Sequence, residues 1–593
     1  MLPLPAHPSS LWLAGPQPTY PRWDPSAGAH FDVAVVGAGI VGLTVAAALA
    51  QHGVRVAVLE ARTVGAGTTG HTTAKVSVLH GAKYHDLEQQ HGRERAQQYA
   101  AANTAGLDHI AERLSRSGVP VDRRDAFTYT THAASAEQLE REVEALSRAG
   151  VMAQLTTESE LPFPIAAAVR VPDQIQFDPL PYLHRLAGDV LDGGGTVHEG
   201  TRMLSCHAGS PCRVVTEHGE LTADRVVVAT LLPALDRGLY FARAEPQRSY
   251  ALALDVPGPL PAGMYLSIDS PTRSLRTAPG PDGEYLLVGG NGHKTGHDHP
   301  TGRHVADLLA WSVDHFPVRA VAHRWSAQDY QPVDSLPYAG SAQPVSDRVL
   351  TATGFAKWGM TNGTAAALLL ADLLTGTGPP AWAPVYSPTR RPPLSAAVPL
   401  ARHNAEAAVR MVADWARPLP TTPPEVAEGE GRHFRCGIRP CAVSRVDGVE
   451  RQVTAVCTHL GGVVQWNDAE RSWDCPLHGS RFAPDGAVLT APATRPLSSP
   501  TEGSNPVSTT VTADDVRDLL GSEAPGATLV LVEGETRILS GAEVAEERYV
   551  AAIVVADRDQ LRKTANLDLD NPSEDALREL AERLDAAVTH LGG

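Results

Sequence analysis

The sequence predicts an α/β domain, then a small all-β domain, then a short mixed α/β extension, on three observations. Residues 31–400 alternate β-branched runs with Ala-rich helical stretches, the pattern of strands and helices packed in layers. Residues 425–500 hold short strand-like runs separated by Gly- and Pro-rich turns. Residues 505–593 contain the apolar runs ATLVLV and YVAAIVV and the amphipathic stretch SEDALRELAERLDAAVTHL. At 593 residues the chain exceeds what one hydrophobic core supports, so several domains are expected. The first 30 residues are an irregular, Pro-rich lead. Residues 401–424, running into the passage RPLPTTPPEVAEGEG, are expected to be a linker.

Composition excludes several function classes. A formal net charge of −17 argues against nucleic acid or an anionic membrane as the main partner, since either selects basic surface. Six cysteines in so long a chain form no disulfide framework, and point to a reducing compartment where thiols stay free. The lead has no basic start and no continuous apolar core, so it is not a signal peptide. The run FDVAVVGAGIVGLTVAAALA is apolar enough to suggest a membrane span, but its glycines suit another assignment. The expected location is the cytoplasm.

That assignment is a dinucleotide site. DVAVVGAGIVGLTVAAALAQHGVRVAVLEAR reads as strand, glycine turn, helix and second strand, ending in an acid. Gly37 permits the tight turn, Gly39 lets backbone approach a pyrophosphate, and Gly42 lets the helix pack on the strand. The helix start then stabilises the phosphates. Glu60 is placed to accept a hydrogen bond from a ribose 2′-hydroxyl. The motif marks a Rossmann-like domain but does not separate FAD from NAD.

A resemblance separates them. VGAGTTGHTTAKVS, LLVGGNGHKTG, WSAQDYQPVDSLPYAG and LTATGFAKWGMTNGTAAALLLADLL resemble the successive motifs of the D-amino-acid-oxidase-like FAD oxidoreductases. The resemblance implies FAD and an antiparallel substrate sheet inserted into the FAD domain. It also places Gly354, Gly359, Met360 and Thr361 beside the flavin. The segment VVVATLLPA departs from the family pattern, and no residue is assigned there. In some family members a histidine placed like His71 bonds covalently to the flavin; the expectation here is a His71 that lines the pocket without that bond. Lys75, Lys357 and Trp358 are substrate-site candidates by their position in these motifs, and no catalytic residue is assigned.

The most specific signal is VCTHLGGVVQWNDAERSWDCPLHGSRFAPDG, with Cys457-x-His459 and then Cys475-x-x-His478. Two thiolates and two imidazoles suit either a structural zinc ion or a Rieske [2Fe–2S] cluster, in which the cysteines hold one iron and the histidines the other. The residues around the ligands resemble the two loops of Rieske proteins, which favours the cluster. Cytochrome-complex Rieske proteins carry a further cysteine in each loop and join the two; here those positions are Gly462 and Leu477, so no such bridge is expected. Ser480 is retained, while Phe482 replaces a tyrosine that donates a hydrogen bond near the cluster. Fewer donors destabilise the reduced cluster, which predicts a midpoint in the lower half of the Rieske range of about −150 to +300 mV. Cys436 with Cys441, and Cys206 with Cys212, are expected to be free thiols.

Together the two regions resemble an amino-acid-oxidase-like flavoprotein fused to a Rieske domain. That implies an oxidoreductase, with a dehydrogenase of an amine or amino acid favoured and an external electron donor or acceptor as partner. The alternatives are a non-enzymatic electron carrier or redox sensor, and a flavin monooxygenase. The last is weaker because the late motif is G-F-x-x-x-G and lacks that family's G-D.

Overall fold

The computed structural model describes residues 2–25, 30–235, 238–280, 283–343, 346–500, 511–532, 535–544, 553–564 and 572–590. The chain divides into two units, residues 1–294 with 301–397, and residues 295–300 with 398–593.

The first unit begins with the strand His30–Val36, whose VAVV run is buried on both faces, as a central parallel strand requires. It pairs in parallel with Val56–Leu59 on one side and Gly219–Val228 on the other. Ser346–Thr353 and Thr196–His198 extend the sheet outward, again in parallel. The helix Ile40–Gln51 is mean-apolar and buried along ten residues, so it is a core helix and not a membrane span. Among the described residues no helix is long and apolar enough to cross a membrane.

A second, nine-stranded sheet runs Ala320–Pro332, Ala244–Asp255, Gly283–Lys294, Arg273–Gly280, Met264–Ser267, Val121–Thr130, Ala167–Phe177 and Lys75–Val76, with Gln154–Thr156 beside Ala167–Phe177. Its pairs are antiparallel except for Met264–Ser267 with Val121–Thr130. This is the inserted sheet that the resemblance implied, and the parallel pair is a departure from a purely antiparallel one.

In the second unit, a three-stranded sheet (Gly431–Cys436, Arg439–Val446, Val449–Thr454) and a four-stranded one (Gln465–Asn467, Ser472–Asp474, Arg481–Phe482, Val488–Thr490) make the all-β part. The extension follows as a three-stranded sheet centred on Thr528–Val532, with helices Ala513–Gly521 and Glu574–His590. Most of PLSSPTEGSNP beyond Pro500, and the start of YVAAIVV, lie outside the described residues.

Two expectations are corrected. The linker read over 401–424 is largely a helix, Ala397–Ala416, and only the Pro-rich tail after it is irregular. Met411 and Trp415, four residues apart, share one face and join the core of the all-β part. Cys436 and Cys441 are joined by a disulfide and are not free. The hairpin that pairs Cys436 with Arg439 brings the two Cα atoms to 5.9 Å, within bridging reach, and this local geometry overrides the compositional argument. Cys206 and Cys212 are buried and not disulfide-bonded, as expected.

Trp415 is fully buried and donates its indole N–H to Gly461 O at 2.9 Å, at the edge of the first candidate cluster loop. Trp415→Ala is expected to cost about 3–5 kcal/mol. Thermal melting of the full chain, followed by visible circular dichroism of the cluster, measures this, while the flavin transition should move little.

Candidate functional site

The glycine turn is built from close backbone approaches. A Cβ on Gly37, whose φ is +106°, would lie 2.5 Å from Ala229 O, and one on Gly42 would lie 1.9 Å from Gly37 O. Only glycine fits either position. Gly39 caps the helix in extended geometry. Glu60 accepts Ala38 N at 2.8 Å and Arg62 N at 2.9 Å, so its carboxylate holds the turn itself while keeping lone pairs for a ribose hydroxyl. Thr69, which the sequence reading passed over, accepts Ile40 N at 3.1 Å in the helix's first turn.

The late segment reaches the same place. Gly363 on helix Gly359–Thr375 is a glycine whose Cβ would sit 3.2–3.3 Å from Val41 and Ile40, so the starts of the two helices lie side by side. Two helix N-termini together favour negative charge, as a pyrophosphate or a flavin carbonyl edge supplies. Ahead of the later helix, Gly354, Ala356 and Lys357 all have positive φ, and the last two are not glycine. Such a turn persists only when its surroundings impose it. Asp329, 8% exposed, does so by accepting Lys357 N on one oxygen and Tyr330 N on the other.

The predicted residues of this segment play unequal parts. Gly359 opens the helix, but Met360 is buried in the core. The Thr361 hydroxyl is taken up by Ser77 O and His80, so only the backbone of Thr361 is available to a ligand. His71 ends a short 3₁₀ turn and its Nδ1 donates to Gly67 O at 2.8 Å.

Around the turn lies a polar assembly that no motif announced. His80 stacks on Trp358 with ring centroids 4.3 Å apart, and bonds Tyr99 OH at 2.7 Å and Ser77 O at 2.8 Å. Burial first, and Lys83 second, hold the His80 pKa well below its usual value, so the ring is neutral. Asn362 links Tyr386, Asn103, Tyr99 and the Trp358 carbonyl. Burial lowers Lys83 to about 8 against the pull of Asp334 and Asp329, and raises Asp329 to about 6 against its amide donors and the two lysines. Lys357 is lowered by burial, with Asp329 opposing. Gly292, lacking a Cβ that would meet Lys357 Nζ at 2.7 Å, leaves room for that ammonium. Lys75, by contrast, spends its ammonium on Tyr265 O and Ser274 Oγ, both at 2.7 Å.

The second candidate site lies in the all-β part. Both cysteines begin the same turn. Cys457 N donates to Gly462 O and Gly461 N returns to Cys457 O; Cys475 N donates to Ser480 O and Gly479 N returns to Cys475 O. In each loop the glycine four residues past the cysteine has positive φ, +70° and +76°. The thiols are buried and adjacent, and the two imidazoles stand 5.2 Å apart at 86°. Burial alone would raise the Cys457 thiol, but the hydrogen bond with Cys475, the charge and amide of His459, and Ser480 bring it below its ordinary value. Cys475 is pushed up by its hydrogen bond to Cys457 and by burial.

The division into a thiol pair and an imidazole pair fits a two-iron cluster. A Cβ on Gly462 would lie 2.7–2.8 Å from the Leu477 side chain, so the positions of the missing bridge do face each other and Leu477 fills the gap. Phe482 is fully buried, and Ser480 Oγ also accepts Ala493 N at 3.0 Å. Unforeseen from sequence, His297 bonds Pro476 O at 3.0 Å, carried by residues 295–300, which group with this unit.

Ser480→Ala removes a donor to Cys457, and a lost hydrogen bond of about 1 kcal/mol corresponds to about 40 mV for one electron. A redox titration followed by electron paramagnetic resonance should show the midpoint lowered by about that amount. The unaltered protein should titrate in the lower half of the range of about −150 to +300 mV.

Comparison with known proteins identifies both domains. Residues 32–373 match the family described as FAD dependent oxidoreductase, and residues 421–501 match the Rieske [2Fe-2S] domain. The putative Rieske 2Fe-2S iron–sulfur protein YhfW of Bacillus subtilis strain 168 is 32% identical over 474 residues, covering 79% of this chain and 92% of that protein. A shorter match, 56% identical over 45 residues, is to the chloroplastic cytochrome b6-f complex iron–sulfur subunit of Bigelowiella natans, covering 8% of this chain and 18% of that one. Among solved structures, glycine oxidase from Geobacillus kaustophilus aligns with 61% of this chain and 99% of its own, at a TM-score of 0.51 and 23% identity. L-proline dehydrogenase from P. horikoshii aligns with 62% and 98%, at 0.50 and 19%. At these identities the structural likeness establishes the fold. The chain therefore belongs to the FAD-dependent oxidoreductase family and carries, after that domain, a Rieske domain, with FAD and a [2Fe–2S] cluster as its cofactors.

Proposed function

We propose that the chain is a dehydrogenase that oxidises the C–N bond of a small amine or amino acid and exchanges the electrons with an external partner through its Rieske cluster. Cys457 and Cys475 hold one iron in this reading, and His459 and His478 hold the other. Gly37, Gly39, Gly42 and Glu60 receive the dinucleotide, Gly354, Gly359, Met360 and Thr361 lie along the flavin, and His71 lines the pocket without a covalent bond. The Nδ1 bond to Gly67 O supports the role given to His71, because it occupies one ring nitrogen.

The observation that carries the proposal is Lys357. The Lys357 ammonium, on a turn imposed by Asp329, is placed to attract a substrate carboxylate. Asp329 steadies both the backbone and the charge of Lys357, and the neutral His80 fixes the Trp358 indole as an apolar wall. FAD, when bound, would supply the acceptor for two electrons and the hydrogen of the carbon beside nitrogen. A cluster held by Cys457, His459, Cys475 and His478 would supply a one-electron exit to an external partner, which makes oxygen unnecessary. The glycine oxidase and L-proline dehydrogenase that share the fold act on amino acids by their names, and this supports the substrate class.

Anaerobic titration with a panel of amines and amino acids tests this. One compound should bleach the flavin absorbance while a Rieske resonance grows in. If dithionite raises that resonance and no compound bleaches the flavin, the amine reading is wrong. Lys357→Met should raise KM for the amino acid about 10- to 150-fold, the value of a charged hydrogen bond, and leave a carboxylate-free amine little changed.

A further inference from the structure

We propose that the start of the chain is a strap that sets the flavin-facing segment, with Ser10 and Trp12 as positioning residues for FAD. The segment in question, Gly70–Ala74, has five consecutive backbone carbonyls, and each is met by a side chain from elsewhere. Ser10 Oγ donates to Gly70 O at 2.6 Å, Trp325 Nε1 to His71 O at 2.9 Å and Trp12 Nε1 to Thr72 O at 2.7 Å. The Arg276 guanidinium donates to Thr73 O at 2.7 Å and to Ala74 O at 3.1 Å. Irregular chain cannot satisfy its own buried carbonyls, so these donors decide which of its conformations is populated. Ala74 is held at φ +52°, outside the range that alanine prefers.

The strap is itself anchored. Ser9 N donates to Arg324 O at 2.8 Å, and Arg324 Nε donates back to Pro5 O at 2.9 Å. Trp12 is 5% exposed, Trp325 is 2% exposed, and Arg276 lies 5.4 Å over the Trp12 ring. Gly70 packs against Leu13, whose Cδ1 would be 3.3 Å from an added Cβ. What the strap holds leads directly to the dinucleotide site. One residue before Gly70, Thr69 accepts the amide of Ile40 in the first turn of the dinucleotide helix, and Thr68 donates to Gln328 O at 2.7 Å. A shift of the Gly70 and Thr72 carbonyls therefore moves the residue that caps the phosphate-binding helix. This role concerns FAD alone and does not depend on which substrate is oxidised.

The test is the full-length double variant Ser10→Ala/Trp12→Phe, which removes both donors and keeps the apolar bulk. After deflavination and reconstitution, the FAD dissociation constant should rise about tenfold or more, from two lost hydrogen bonds. The visible circular dichroism of the bound flavin should change, while the Rieske resonance stays as in the parent chain. Ser10→Thr, which keeps the hydroxyl, should bind FAD as the parent does. A double variant with the parent's FAD affinity and flavin spectrum overturns the proposal. Should that variant fail to fold, shown by loss of the cooperative thermal transition of the FAD domain, Trp12→Phe alone decides: a raised dissociation constant supports the strap and an unchanged one refutes it.

Discussion

Both cofactor sites depend on one constraint, that irregular backbone buried at a site has polar groups which something outside it must satisfy. Regular strands and helices satisfy themselves, but they cannot wrap a ligand. Glu60 serves the glycine turn, Asp329 the left-handed turn before the late helix, and Thr69 the first turn of the dinucleotide helix. In the all-β part the two cysteine turns close on themselves through matching amide–carbonyl pairs, and Trp415 takes the carbonyl of Gly461. Glu60, Asp329, Thr69 and Trp415 are buried or half-buried and reach backbone 22 to 46 residues away, so these turns are set only when the surrounding unit folds.

This explains what was legible in the sequence and what was not. The glycine turn and the paired Cys–His motifs were readable because their chemistry is compressed into short spacings: a Cβ is excluded at Gly37, and two turns of one design repeat around Cys457 and Cys475. The class of each sheet was readable from periodicity and resemblance. Asp329 lay inside a motif that had been noticed, yet nothing local distinguishes a carboxylate that pins a turn from one that meets solvent. His80 and Tyr99 meet Trp358 and Asn362 from positions hundreds of residues away in the chain, which no spacing reveals. The helix Ala397–Ala416 was hidden by its proline-rich neighbours, and the Cys436–Cys441 link by an argument from composition that a hairpin overrode.

Charge is organised against the average of the chain. The protein as a whole carries a formal −17, while the FAD domain buries ions of both signs, among them Arg248, Arg273, Arg276, Glu142, Asp329 and Asp334. Lys75, Lys83, Lys357 and Arg276 all have pKa values lowered chiefly by burial, and Asp329 has one raised for the same reason. Holding these ions costs stability, which is the common mark of a site arranged for a charged ligand and not for the fold. The acidic exterior then bears on solubility and on the choice of redox partner, two matters separate from the chemistry within.

The contact between Leu477 and Gly462 has a consequence for maturation. With a leucine against a glycine where a covalent link would otherwise join the loops, only non-covalent contacts hold the two ligand turns together before iron arrives. The metal centre is then the cross-link, and its insertion is part of the folding of its own domain. Because the loops lack a disulfide between them, assembly of the centre needs no thiol oxidation between Gly462 and Leu477.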